Sequence, residues 1–162
     1  MRECEEMAIP KHILTTEGNW KGDSRLHLSW LPDEADRIKS SPSTLTVEAD
    51  GNRKYVTLSY AWEYGGETQF GQMLVAGDRD GETLEAGWSD SWHQSGGVLH
   101  LTATSFEENP AKLNGKYPAG DGTFWGWRIE IETDDETLTL RMFNIMPDGP
   151  EEWAVEGIYK RA

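Results

Sequence analysis

Short runs of alternating apolar and polar residues, separated by turn residues, make up most of this 162-residue chain. The clearest run is Gly87-Trp88-Ser89-Asp90-Ser91-Trp92-His93. Strand side chains point alternately to two faces. Leu84, Ala86, Trp88, Asp90 and Trp92 therefore share one face, and Thr83, Glu85, Ser89, Ser91 and His93 the other. The first face is apolar with one carboxylate in it. An inward carboxylate is costly unless it is paired or hydrated, so the surroundings of Asp90 matter most.

The rest of the chain predicts strands at short intervals. Residues 20–31 form the first, with Trp20, Gly22, Leu26, Leu28 and Trp30 on one face, and 31–42 read as a polar loop. Asp50-Gly51, a strong hairpin signal, joins 44–49 to 53–64. Gly65-Gly66 leads to 67–76, Asp78-Arg79-Asp80-Gly81 to 82–93, and Gln94-Ser95-Gly96-Gly97 to 98–106. Asp134-Asp135 joins 123–133 to 136–146, and Pro147-Asp148-Gly149-Pro150 opens the last strand, 151–161. Residues 1–17, with Met7, Ile9, Ile13 and Leu14 interrupted by Pro10, predict an arm or short helix over one end. That leaves 18–162 as one domain.

Folding each hairpin about its turn tests the registers. Trp62 then faces Gln69, and Tyr60 faces Gly71. Gly71 faces Trp88, Gln69 faces Asp90, and Trp92 faces Leu99. Trp125 faces Asn144, and Asn144 faces Trp153. One continuous apolar face runs through all of them, as a sheet with one buried side requires. Nine strands result. A closed antiparallel barrel needs an even number, and Lys112-Leu113-Asn114-Gly115-Lys116-Tyr117 supplies the tenth. Closure removes exposed sheet edges. The expectation is an all-β, single antiparallel meander barrel of about ten strands.

Composition narrows the function classes. The net charge of −14 argues against a nucleic-acid or anionic-membrane surface, where basic patches are needed. Cys4 is the only cysteine, so neither an internal disulfide nor a cysteine-rich metal site forms. The first sixteen residues carry Arg2, Glu3, Glu5 and Glu6 with no apolar core of a signal peptide, and no stretch is long and apolar enough to span a membrane. A cytoplasmic protein is expected. Eight tryptophans and seventeen glycines suit a sheet with lined pockets and tight turns.

Gly18-Asn19-Trp20 opens the first strand and Arg161 closes the last. This resembles the calycin superfamily, the lipocalins and fatty-acid-binding proteins. The resemblance implies a Gly-x-Trp at a closed end with a final-strand Arg packed over the Trp. Ten meandering strands would bring Arg161 to that end. Three further segments are similar to a bacterial family of lipocalin-like, calycin-type proteins with no established activity. They are Trp88-Ser89-Asp90-Ser91-Trp92-His93, Trp125-Gly126-Trp127-Arg128-Ile129, and Met146-Pro147-Asp148-Gly149 with Trp153-Ala154-Val155-Glu156. The resemblance covers roughly residues 15–162 and implies a barrel, not a reaction.

One end of such a barrel gathers Trp30, Trp62, Gln69, Asp90, Trp92, Trp125, Asn144 and Trp153. Aromatic walls with a few polar groups make a small-molecule pocket. His93 joins it if the strand bulges near Asp90. The expected function is binding of a small, partly apolar ligand in this cavity. The alternatives are an enzyme using Asp90 or His93 as acid/base there, or a structural barrel with a filled core. A Ser–His–Asp triad is not expected, because Asp90 and Ser91 point to opposite faces. His93 and His100, diagonal neighbours in this register, lack a third metal ligand. Haem-binding calycin-like barrels take a late-strand His, and none follows His100. No cofactor and no metal are expected.

Overall fold

A computed structural model describes residues 8–78, 80–94 and 97–162. Ten strands close into an antiparallel meander barrel: β1 Gly18–His27, β2 Ile38–Ala49, β3 Tyr55–Tyr64, β4 Glu67–Gly77, β5 Leu84–Asp90, β6 Leu99–Ala103, β7 Ala111–Pro118, β8 Phe124–Thr133, β9 Thr137–Ile145 and β10 Glu151–Arg161. Each strand pairs with its neighbours in sequence, and β1 pairs with β10 to close the ring. The even count makes that last pairing antiparallel, from Trp20 opposite Arg161 to Leu26 opposite Val155.

Alternation fills the interior. Leu45, Val47, Val56, Leu58, Met73, Val75, Ala86, Leu101, Leu113, Ile129, Leu140 and Met142 are buried there. A short helix, α1 (Lys11–Leu14), plugs one end with Ile13 and Leu14, beside buried Ile9. The Trp20 indole donates to the Thr16 carbonyl at 2.8 Å. The Arg161 guanidinium lies 4.3 Å over the Trp20 ring and donates to the carbonyls of Glu17 and Thr15. Gly18, at φ +134°, keeps that space open: a Cβ there would sit 2.7 Å from Arg161 Nη1. This end is sealed, so any opening lies at the other.

Several boundaries and registers differ from expectation, each for a local reason. The first strand stops at His27, and Trp30 lies in the turn that follows. The serine-rich stretch 38–42, expected as loop, is strand. Ser43 sits inside, bonded to the Ala61 carbonyl (2.7 Å) and the Tyr159 hydroxyl (2.9 Å). The β4–β5 turn is longer than expected, with Asp78 N–H on the Thr83 carbonyl and Asp78 Oδ1 accepting from Glu82 N–H. Gly71 therefore faces Asp90, and Met73 faces Trp88. The β8–β9 hairpin is likewise displaced by two, and Trp127 rather than Trp125 faces Asn144. Displacements by two keep every side chain on its face.

Two differences do change faces. β5 ends at Asp90, and Ser91 to Gln94 form a turn. The turn takes Trp92 and His93 out of the alternation; the β5–β6 register itself moves by four and keeps its faces, so that Trp88, not Trp92, faces Leu99, and His100 faces Gly87. In β10 a bulge between Trp153 and Val155 breaks the pairing with β9, so that Trp153 faces Phe143 and Glu152 faces Asn144. A bulge adds one residue and reverses all beyond it. Cys4 and the other residues of 1–7, Arg79 of the expected 78–81 turn, and Ser95 and Gly96 of the expected 94–97 turn lie outside the described residues. Among the described residues no helix is long and apolar enough to cross a membrane.

Candidate functional site

Asp90 ends β5 and begins the turn. Its Oδ1 accepts the backbone N–H groups of Trp92 and His93, both at 2.9 Å. Asp is favoured at this place because its short carboxylate satisfies turn amides two or three residues on. The same oxygen lies 3.2 Å from His93 Nδ1. Oδ2 accepts the Tyr60 hydroxyl at 2.8 Å and, more distantly, the Trp62 indole N–H at 3.4 Å. Trp88 Nε1 in turn donates to the Tyr60 oxygen at 2.9 Å. Asp90 is 2% exposed, so these donors replace water.

Burial pushes the Asp90 carboxyl up. Hydrogen bonds from the His93 ring, the His93 backbone N–H and the Tyr60 hydroxyl outweigh it, and the net shift is below the ordinary value. Tyr60 goes the other way: burial, then the Asp90 carboxylate, raise its hydroxyl well above the usual range. The pair is thus a carboxylate and a neutral phenol. Gly71 makes the contact possible, because a Cβ there would lie 2.0 Å from Tyr60 Cζ. The ring crosses β4 only where no side chain stands.

His93 is held by more than Asp90. Its ring centroid lies 4.7 Å from that of Trp92, 5.4 Å from Trp127, 5.9 Å from Trp62 and 6.2 Å from Trp88. Trp88 and Trp127 stack on each other at 5.3 Å and 11°. An ionised carboxylate only accepts, so Nδ1 must carry the proton of the neutral ring. Nε2 is then the acceptor. It makes no hydrogen bond among the described residues and is not one of their sealed, unpartnered polar atoms.

His93 lines a cavity of about 250 Å³ at the open end. Trp88, Trp92, His93 and Trp127 form its inner surface, with Leu26 and Ala154. Tyr117 and Asn144 add a polar side, where the Tyr117 hydroxyl donates to Asn144 Oδ1 at 2.5 Å. That bond leaves the Asn144 amide N–H groups available. His27, Trp30 and Gln94 complete the rim. Among the described residues no Asp, Glu, Lys or Arg is part of this wall. Trp127 Nε1 is buried with no hydrogen-bond partner among the described residues, a condition that costs about 1–3 kcal/mol.

Of the residues expected at the site, Trp92, His93 and Asn144 meet at the cavity, and Trp30 stands on its rim, 67% exposed. Asp90 and Trp62 are buried behind it, against His93. Gln69 is not beside Asp90; its Oε1 accepts from the Ser91 hydroxyl at 2.7 Å. Trp125 faces Tyr117 across β7 and β8 and is not part of the cavity wall. Trp153 is turned to the outer wall by the β10 bulge. There it stacks on His27 at 4.4 Å and 7°, with the Arg25 guanidinium 5.3 Å from its ring.

Sequence reasoning missed Tyr60, Trp88, Tyr117 and Trp127 as site residues. Gly71 opposite Tyr60 was the available signal for the first. Ser91 bonds Gln69, away from the Asp90–His93 pair, so no triad forms. His100 lies on the outer face with Glu85, 3.3 Å away, apart from His93. No cluster of three metal-ligating side chains occurs among the described residues.

The family model described as a protein of unknown function (DUF1579) matches residues 9–161, and the chain belongs to that family. No curated protein matches it.

Proposed function

We propose that this DUF1579 barrel binds a small, partly apolar molecule at its open end, in the manner of calycin-like carriers, within the cytoplasm. One observation carries the reading. A cavity of about 250 Å³ is walled by indoles and by His93, whose Nε2 has no hydrogen-bond partner among the described residues, nor have the Asn144 amide N–H groups. Aromatic walls with a few placed polar groups suit small-molecule binding. A filled core has no use for a polar atom so placed. The Arg161–Trp20 contact at the sealed end supports the calycin comparison. The lone cysteine supports the cytoplasmic setting.

A second reading has its own support. A histidine oriented through Nδ1 by a buried carboxylate, with Nε2 toward a cavity, is the arrangement of a general base. The enzyme reading uses the same pocket with His93 in that role and Asp90 positioning it.

Naphthalene, uncharged and two rings wide, tests the cavity. The binding reading expects a saturable change in tryptophan fluorescence. No change up to the solubility limit would mean the barrel is full.

A further inference from the structure

We propose that the ligand is a neutral, planar hydroxyaromatic of one or two rings, seated with its hydroxyl on His93 Nε2. The proposal rests on the binding reading above and names the chemical class it takes.

Charge is the first argument. Among the described residues no Lys or Arg lines the cavity, so a carboxylate would enter without a counter-ion from them. An ammonium fares no better. Asp90 is the nearby anion, but it stands behind His93 and its two oxygens already accept five donors. A neutral molecule avoids both costs.

Shape is the second. Trp92, Trp127 and Tyr117 line the cavity with aromatic rings, Trp88 being fully buried in its stack with Trp127, and flat rings gain most from stacking on such walls. The volume, about 250 Å³, lies below the roughly 300–1,000 Å³ typical of drug-sized ligands. One or two rings fit this size, and a long acyl chain does not.

Hydrogen-bond polarity is the third, and it selects the hydroxyl. Trp88 N–H donates to Tyr60, Tyr60 O–H donates to Asp90, and Asp90 accepts from His93 Nδ1. The donors converge on Asp90 and hold it ionised, so Nε2 is the acceptor of a ring whose other nitrogen rests on a buried carboxylate. Its complement is an acidic O–H.

One carbon skeleton tests this: naphthalene, 2-naphthol, 2-methoxynaphthalene, 2-naphthoate and 2-naphthylmethylammonium, each titrated against the full chain. The expected result is 2-naphthol at least about tenfold tighter than 2-methoxynaphthalene, since one hydrogen bond to a charge-backed acceptor is gained. Both charged analogues should bind more weakly than 2-naphthol. Excited 2-naphthol is a strong acid. Bound to the protein it should pass its O–H proton to Nε2, leaving naphtholate and imidazolium, and so emit as naphtholate. In His93→Phe the 2-naphthol preference should fall to near one and the naphtholate emission should vanish. If that variant fails to fold, the wild-type preference and emission still decide. Equal affinity for 2-naphthol and its methyl ether, or tighter binding of either charged analogue, overturns the hydroxyaromatic assignment while the cavity stands. Failure of naphthalene and all its derivatives to bind removes the cavity reading and this proposal together.

Discussion

His93 Nδ1 lies 3.2 Å from Oδ1 of Asp90, and the carboxylate is held in its ionised form by the donors around it. That single contact fixes the histidine's tautomer and aims its other nitrogen at the cavity. It also means that Asp90 serves the fold and the site at once. The oxygen that orients His93 caps the turn that brings His93 inward.

Asp90→Leu should therefore be strongly destabilising. It strands the Tyr60 hydroxyl, the Trp62 indole and two turn amides in a buried place. Breaking such a buried charged network costs about 3–5 kcal/mol. Asp90→Asn keeps one acceptor and should cost less. Urea denaturation of the two variants checks the order, and an Asp90→Leu protein as stable as wild type would refute it.

The same carboxyl makes stability acid-sensitive in a defined direction. Its folded pKa lies below the ordinary 3.8. The stability it contributes is complete above that unfolded value and is lost as pH falls through the folded one. Asp50, Asp78, Asp121 and Asp134 are lowered too, by turn hydrogen bonds. They are common to wild type and Asp90→Asn and cancel in the difference. The gap between the two urea midpoints should narrow as pH falls below about 4. A gap that widens below that pH contradicts this.

Gly71→Ala should expel Tyr60 from its place. The new Cβ would stand 2.0 Å from Cζ and 2.2 Å from the hydroxyl, and the neighbouring strand cannot yield that far. A loss of about 2 kcal/mol or more is expected. Trp88 N–H and Asp90 Oδ2 lose their shared partner as well. Thermal unfolding reads the loss, and a wild-type midpoint would show that Tyr60 has another resting place.

The barrel was legible in the sequence because its inward face is continuous. Registers displaced by two, as at Met73–Trp88 and Ile129–Met142, leave that face intact. The count of ten followed from closure alone. The site was less legible, because parity fails where a strand ends. Trp92 and His93 continue the alternation of β5 in composition, yet Asp90 takes their amides and turns the chain. An Asp followed closely by Gln94-Ser95-Gly96-Gly97 was the turn signal available. Nothing in Trp153-Ala154-Val155 announces a bulge, since no Gly or Pro marks it. Trp153 was therefore placed inside on a rule that one extra residue reverses.

At the sealed end, Arg161→Met should cost about 1–2 kcal/mol, from the lost stacking on Trp20 and the two carbonyl bonds. Arg161→Lys should recover little of it, because an ammonium cannot stack flat and reach Thr15 and Glu17 together. Naphthalene affinity should be unaffected, since the cavity is at the opposite end. A fall in that affinity would show the two ends to be coupled.

Nitrogen-15 NMR of the His93 ring tests the central claim most directly. In the neutral ring the proton should sit on Nδ1, with Nε2 bare and its resonance moving as 2-naphthol is added. A ring carrying its proton on Nε2, with Nδ1 bare beside Asp90, would contradict the account.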